Sequence, residues 1–264
     1  MVQFDLFWRI ERKNLKGSDG GVMAKDIYEK LAKHLDNLPG GFPRTESGVE
    51  IRILRRLFSP EDAKLATHLT LIPEEARVIA RRAKISVEEV SRRLEEMVKT
   101  GLISGVYPKD RPPLYMALQF VIGIWENQVN RLSRELIQDV EEYMPLYTEK
   151  NITSGLPQLR TIPVGKSIGT KIEVMPYERA EELVRTHKTF AVANCICRQE
   201  MRIMGEGCDK PEESCLTFGM AARIMVRTGR GRAISMEETL EILRRAEEVG
   251  LVLQPSNAKK AINI

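Results

Sequence analysis

Apolar residues recur three and four apart through Ala24–Leu38, at Ile27, Leu31, Ala32 and Leu35, and predict an amphipathic helix. Leu38-Pro-Gly-Gly-Phe-Pro43 breaks it. Ile51 to Leu57 is apolar at Ile53, Leu54 and Leu57. Ser59-Pro60-Glu61-Asp62 then reads as an N-cap, a proline in the first turn and two acids at the positive end of a helix dipole. That helix should run to about Leu69. Another should start at Pro73-Glu74-Glu75 and reach Ala83. A third opens with the capping box Ser86-Val-Glu-Glu89 and carries Val87, Val90, Leu94, Met97 and Val98 on one face.

Gly101 stops the third helix. Leu102–Tyr107 and Leu114–Ala117, separated by the turn-rich Pro108–Pro113, have the pattern of a β-hairpin. Three short helices and a hairpin is the order of a winged helix. Further on, a long helix is expected over Glu126–Tyr143, with a loop or linker over 144–160. Strands are expected at Thr161–Val164 and Lys171–Met175, and a helix at Tyr177–Thr186. Thr189–Ala193 reads as a buried strand, Thr217–Thr228 as a helix ended by Gly229-Arg-Gly231, Ser235 to about Val249 as another helix, and Leu251–Leu253 as a closing strand. The fold class is therefore α+β. Its expected parts are an N-terminal arm and helix (1–50), a winged-helix-like domain (51–125), a connecting helix and linker (126–160) and an α+β domain (161–264).

The 264 residues are 42% apolar, with 41 basic and 37 acidic side chains and a net charge of +4. That charge balance does not by itself predict nucleic-acid binding. Apolar runs are too short to span a bilayer, and the N-terminus has neither the pattern nor the cleavage site of a secretory signal, so a cytoplasmic location is expected. The Ser86–Lys99 helix carries Glu88, Glu89, Glu95 and Glu96 against Arg92, Arg93 and Lys99, a poor charge pattern for reading a DNA groove. Nucleic acid is not an expected partner on this reading. A protein partner, or a second copy docking through the winged-helix-like domain, is preferred. The basic run Arg77, Arg81, Arg82 and Lys84 reads as a solvated face. His34, His68 and His187 are scattered, and His68 reads as a packed histidine.

All four cysteines lie between Cys195 and Cys215, spaced C-x-C-x10-C-x6-C. Four local thiols match the ligand count of a tetrahedral metal or a cubane iron–sulfur cluster. In a reducing compartment they point to metal before disulfides. Structural zinc favours C-x2–4-C pairs. An extended C-x-C would set Cys195 and Cys197 on one strand face about 7 Å apart, which suits two corners of a cluster, whereas a bend could aim both at one ion. Gly207 would allow a sharp approach to Cys208, and Pro211 would stiffen the turn before Cys215. Arg198, Arg202 and Lys210 could offset the charge of a thiolate cluster. Ser214-Cys215 at the start of a helix would add an N-terminal dipole. The order of preference is a [4Fe–4S] cluster, then zinc, then disulfides or free thiols. No nucleotide-binding loop, zinc-protease motif or nucleophile elbow is present.

The stretches Lys25–Leu31, Pro39–Glu50, Leu57–Asp62, His68–Glu75 and Cys195-Ile-Cys-Arg … Gly207-Cys-Asp-Lys-Pro-Glu-Glu-Ser-Cys-Leu-Thr-Phe-Gly219 carry a resemblance. They resemble ferredoxin-type 4Fe-4S binding proteins of anaerobes, over about Lys25–Ile264. The resemblance implies that Cys195, Cys197, Cys208 and Cys215 bind a cluster; Arg198, Gly207, Lys210 and Pro211 are expected around it from the chemistry of the window itself. It also implies electron transfer to a partner oxidoreductase rather than catalysis by this chain alone. Longer members continue past Ala258–Ile264 into a cysteine-rich run and ferredoxin-like repeats, so multi-cluster transfer is not expected of this chain by itself. Two other expectations stand beside it: a redox- or metal-sensing winged-helix regulator, and a zinc-stapled interaction module.

Overall fold

The computed structural model describes residues 22–153 and 180–254. The N-terminal arm and the strands expected at 161–164 and 171–175 lie outside the described residues. The fold combines helices with two small antiparallel sheets, the α+β class read from the sequence.

Three helices come first: α1 (Val22–Asp36), α2 (Val49–Leu57) and α3 (Pro60–Ala66). Ser59 caps α3 by accepting from the Asp62 backbone N–H, with Pro60 in the first turn. Pro73-Glu74-Glu75 does not start the next helix. Glu74 and Glu75 form the short strand β1, which pairs with Tyr115 and Leu114, and α4 (Ala76–Ala83) begins after it. The sheet partner wins because it satisfies backbone groups that a helix N-terminus leaves open. Ser86 caps α5 (Val87–Lys99) through the Glu89 N–H. Strands β2 (Ile103–Val106) and β3 (Leu114–Ala117) then form the expected hairpin, and the sheet order is β1-β3-β2.

The helix expected over Glu126–Tyr143 is corrected. An irregular turn at Phe120–Ile124 and a short 3₁₀ turn at Glu126–Gln128 precede a break in which Asn130 takes a positive φ of 66°. Only after Ser133, whose hydroxyl accepts from Leu136 N–H, does α6 (Arg134–Thr153) begin. It continues through Pro145 to Thr153, so 144–153 is helix rather than linker. Tyr143, Phe42 and Phe120 pack ring to ring at 5.0–5.8 Å and hold α6 on the N-terminal core.

The C-terminal half holds α7 (Ala180–Arg185), β4 (Phe190–Asn194), α8 (Ile196–Met204), β5 (Glu213–Phe218), α9 (Gly219–Arg227), β6 (Gly231–Ile234) and α10 (Met236–Glu248). Strand β4 is central, between β5 and β6. The helix expected from Thr217 begins instead at Gly219, because 213–218 pairs with β4. Sequence reading passed over β6, whose four residues take their strand form from β4. Leu251–Leu253 is not a strand; only Leu253 makes an isolated β-bridge, and it packs on Val184, Phe190 and Leu243. The larger core spans the N-terminal helices, the first sheet and α6, and Ile196 of α8 is buried in it. The cysteine helix is thus anchored to the N-terminal half. No helix among the described residues is long and apolar enough to cross a membrane.

Candidate functional site

Strand β4 delivers the chain to Cys195, which is the N-cap of α8; Cys197 lies in that helix's first turn. The extended C-x-C geometry expected from the sequence is therefore replaced by a strand-to-helix corner. Cys215 is not at a helix start either. It lies in β5, paired with Ala193 two residues before Cys195. Antiparallel pairing brings together two thiols twenty positions apart.

The result is a thiol group centred on Cys195. Its sulfur is hydrogen-bonded to both Cys197 and Cys215, which holds Cys195 far below the ordinary thiol range, and the Arg198 backbone N–H and guanidinium add to that stabilisation. Cys197 and Cys215 are pushed up, first by donating to Cys195 and then by burial. Cys208 is exposed on the loop between α8 and β5 and makes none of these contacts. Among the described residues, no group of three or more His, Cys, Asp or Glu side chains is arranged to hold one metal ion.

The other expected residues divide. Arg198 faces the thiols: its Nη1 donates to Ser214 Oγ at 3.0 Å, and its buried Nε has no partner. The Lys210 ammonium donates to the Val249 carbonyl at 2.6 Å and ties the loop to the end of α10. Arg202 is engaged by Glu212. Gly207 lies against α8, where a Cβ would come within 3.1 Å of Arg202 Cα, so its role is close approach rather than a left-handed turn. Pro211 lies in that loop, just before β5. His187 is held by Leu183 O and stacks 5.1 Å from Phe218, on the smaller core.

Sequence reading missed two carboxylates. Burial pushes Glu126 up to about 7, and its Oε2 accepts from Gly123 N–H at 2.6 Å. Burial, then Glu141, pushes Glu200 up to about 7, with the Cys195 charge contributing. Glu200 is one helical turn beyond Cys197, a spacing that would have shown the neighbourhood once the helix was known. The corner is clamped to the N-terminal half: Asn130 N–H donates to Gln199 Oε1 at 2.8 Å, and its Oδ1 accepts from Gln199 and Asn194.

Compared with protein-family models, with curated proteins and with solved structures, the chain matches none.

Proposed function

We propose that this chain binds a [4Fe–4S] cluster through Cys195, Cys197, Cys208 and Cys215, and takes part in electron transfer with a partner oxidoreductase in the cytoplasm of an anaerobe. The observation that carries the reading is the convergence of Cys195, Cys197 and Cys215 beside an Arg198 whose buried Nε has no acceptor. A guanidinium donor left open beside sulfur suits an anionic thiolate assembly. Cys195, Cys197 and Cys215 are of the donor type a cluster takes and already lie together, although their present arrangement is not one that holds a single metal ion. Cys208, exposed on the loop between α8 and β5, is the fourth thiol of the window. The C-x-C-x10-C-x6-C spacing and the ferredoxin-type resemblance favour the cluster over zinc.

Bound there, the cluster supplies one-electron chemistry. The chain's residues do the rest. Arg198 offsets negative charge, and Ile196 in the larger core fixes the start of α8. Glu126 and Glu200, half-buried near the sulfurs, carry protons near neutral pH. The N-terminal helices and hairpin are read as a winged-helix-like unit that docks the partner or a second copy. In α5, Arg92 and Arg93 are both paired with Glu89 and Lys99 with Glu96, so little free positive charge remains for phosphates.

The test is anaerobic purification followed by metal and sulfide analysis. Roughly four iron and four acid-labile sulfide per chain are expected, with a visible thiolate-to-iron absorption band. Zinc without sulfide, or iron loading unchanged in Cys195→Ser, overturns the reading.

A further inference from the structure

Backbone pairing, and not nearness in the chain, brings Cys195 and Cys215 together. Cys215 stands opposite Ala193 in the β4–β5 ladder. Residues two apart in a strand share a face, so the Cys195 side chain follows Ala193 onto the face that Cys215 occupies. The register shifts between Ala193 and Asn194, which pairs with Glu213 and leaves Ser214 as an extra residue. Two ties hold β5 against the start of α8 at this point. The Cys195 N–H donates to the Glu212 carbonyl at 2.7 Å, and Arg198 Nη1 donates to Ser214 Oγ at 3.0 Å. The sulfurs of Cys195 and Cys215 are hydrogen-bonded to each other, and all four cysteines are free thiols.

Cys197 is the other sulfur neighbour of Cys195, but that pair is poorly placed to bridge. Positions two apart in a helix point to different sides. The Cys195 carbonyl accepts from the Arg198 and Gln199 N–H groups at 3.1 and 3.0 Å, and these bonds fix the first turn of α8 that a Cys195–Cys197 bond would unwind. Cys215 lies on a separate strand, so a bond to it leaves that turn intact.

We propose that Cys195 and Cys215 form a dithiol–disulfide couple that exchanges with low-molecular-weight disulfides of the glutathione type. The Cys195 thiolate attacks one sulfur of the substrate disulfide. A bond forms between the two sulfurs, the substrate's S–S bond breaks, and one glutathione leaves as its thiolate. Cys215 gives its proton to that thiolate and attacks the Cys195 sulfur, which displaces the second glutathione thiolate. Two electrons pass from the pair to the substrate. The bridge consumes two of the four thiols proposed above as cluster ligands, so disulfide and cluster exclude one another. The exchange itself rests only on the Cys195–Cys215 contact.

The test uses the full chain, purified without oxygen, stripped of metal with a chelator and incubated with oxidised glutathione. Alkylation and peptide mapping without reductant then locate the bridges. The free-thiol count should fall from four to two, with Cys195 joined to Cys215 and with Cys197 and Cys208 alkylated. Cys215→Ser should stop with one glutathione held on Cys195. In urea the preference for Cys195–Cys215 should disappear, because only the fold creates it. A count that stays at four, a bridge that includes Cys197 or Cys208, the same preference in urea, or loss of the helical circular dichroism on stripping overturns the proposal. Metal content measured before stripping bears on the cluster reading alone, so the two readings fail separately.

Discussion

At the scale of single residues, two glycines of similar conformation separate strain from crowding. Gly101 has φ +81°, and a Cβ there would lie 2.6 Å from Asn127 Cβ and 2.7 Å from its carbonyl oxygen. Gly48 has φ +69° with nothing within 4 Å. Gly101→Ala should therefore cost about 2–4 kcal/mol, adding backbone displacement to the left-handed penalty. Gly48→Ala should cost only about 1–2 kcal/mol. Urea unfolding of the two variants measures the difference. Two histidines set a pH dependence. Burial lowers His34 and His68 below the ordinary 6.5. The unfolded chain therefore takes up protons more readily than the folded one. Their contribution is intact above pH 6.5 and is lost as the pH falls through 6.5 toward the folded values. The urea midpoint should drop over that range, and His34→Gln should flatten the decline.

At the scale of elements, the most legible features were those whose cause is local. Ser59, Ser86 and Ser235 each cap a helix by accepting from the N–H three residues on, at the positions the sequence indicated. Ser86→Ala and Ser235→Ala should each lower stability by about 1 kcal/mol, read from thermal melts. The hairpin over 103–117 was legible for the same reason, because its turn residues and alternating strands are neighbours in the chain. Elements that depend on a distant partner were misread. Glu213–Phe218 has enough helix-compatible residues to continue into α9, but Phe190–Ala193 supplies the backbone partners that make 213–218 a strand. Gly231–Ile234 carries an arginine and a glycine and shows no strand signal of its own; it is a strand because the other edge of β4 lies beside it. A Cβ on Gly231 would come within 2.5 Å of the Val192 carbonyl, which is the structural mark of that approach.

At the scale of the whole molecule, polar ties across long sequence separations hold the parts in place. Asp139, only 7% exposed, accepts from Arg52 at 3.1 Å and from Arg56 at 2.6 Å, joining α6 to α2. Asp139→Asn removes the charge both guanidinium groups share and should cost about 1–2 kcal/mol by urea unfolding, a modest figure because both arginines are partly solvated. Between the halves, Arg227 lies 3.8 Å over the Tyr107 ring and Arg230 reaches Val98, 132 positions away in the chain. By itself the sequence determined the helix stripes and their caps, the hairpin, the α+β class and the confinement of all four thiols to one window. Each follows from spacing within a few residues, where backbone geometry alone decides which side chains share a face. Only the tertiary structure decided that Cys195 is the hub of three thiols, that Lys210 donates to the end of α10, and that Arg230 caps α5 from the other half. Those outcomes depend on strand pairing and on packing between the halves, and a donor's partner in three dimensions need not be near it in the chain.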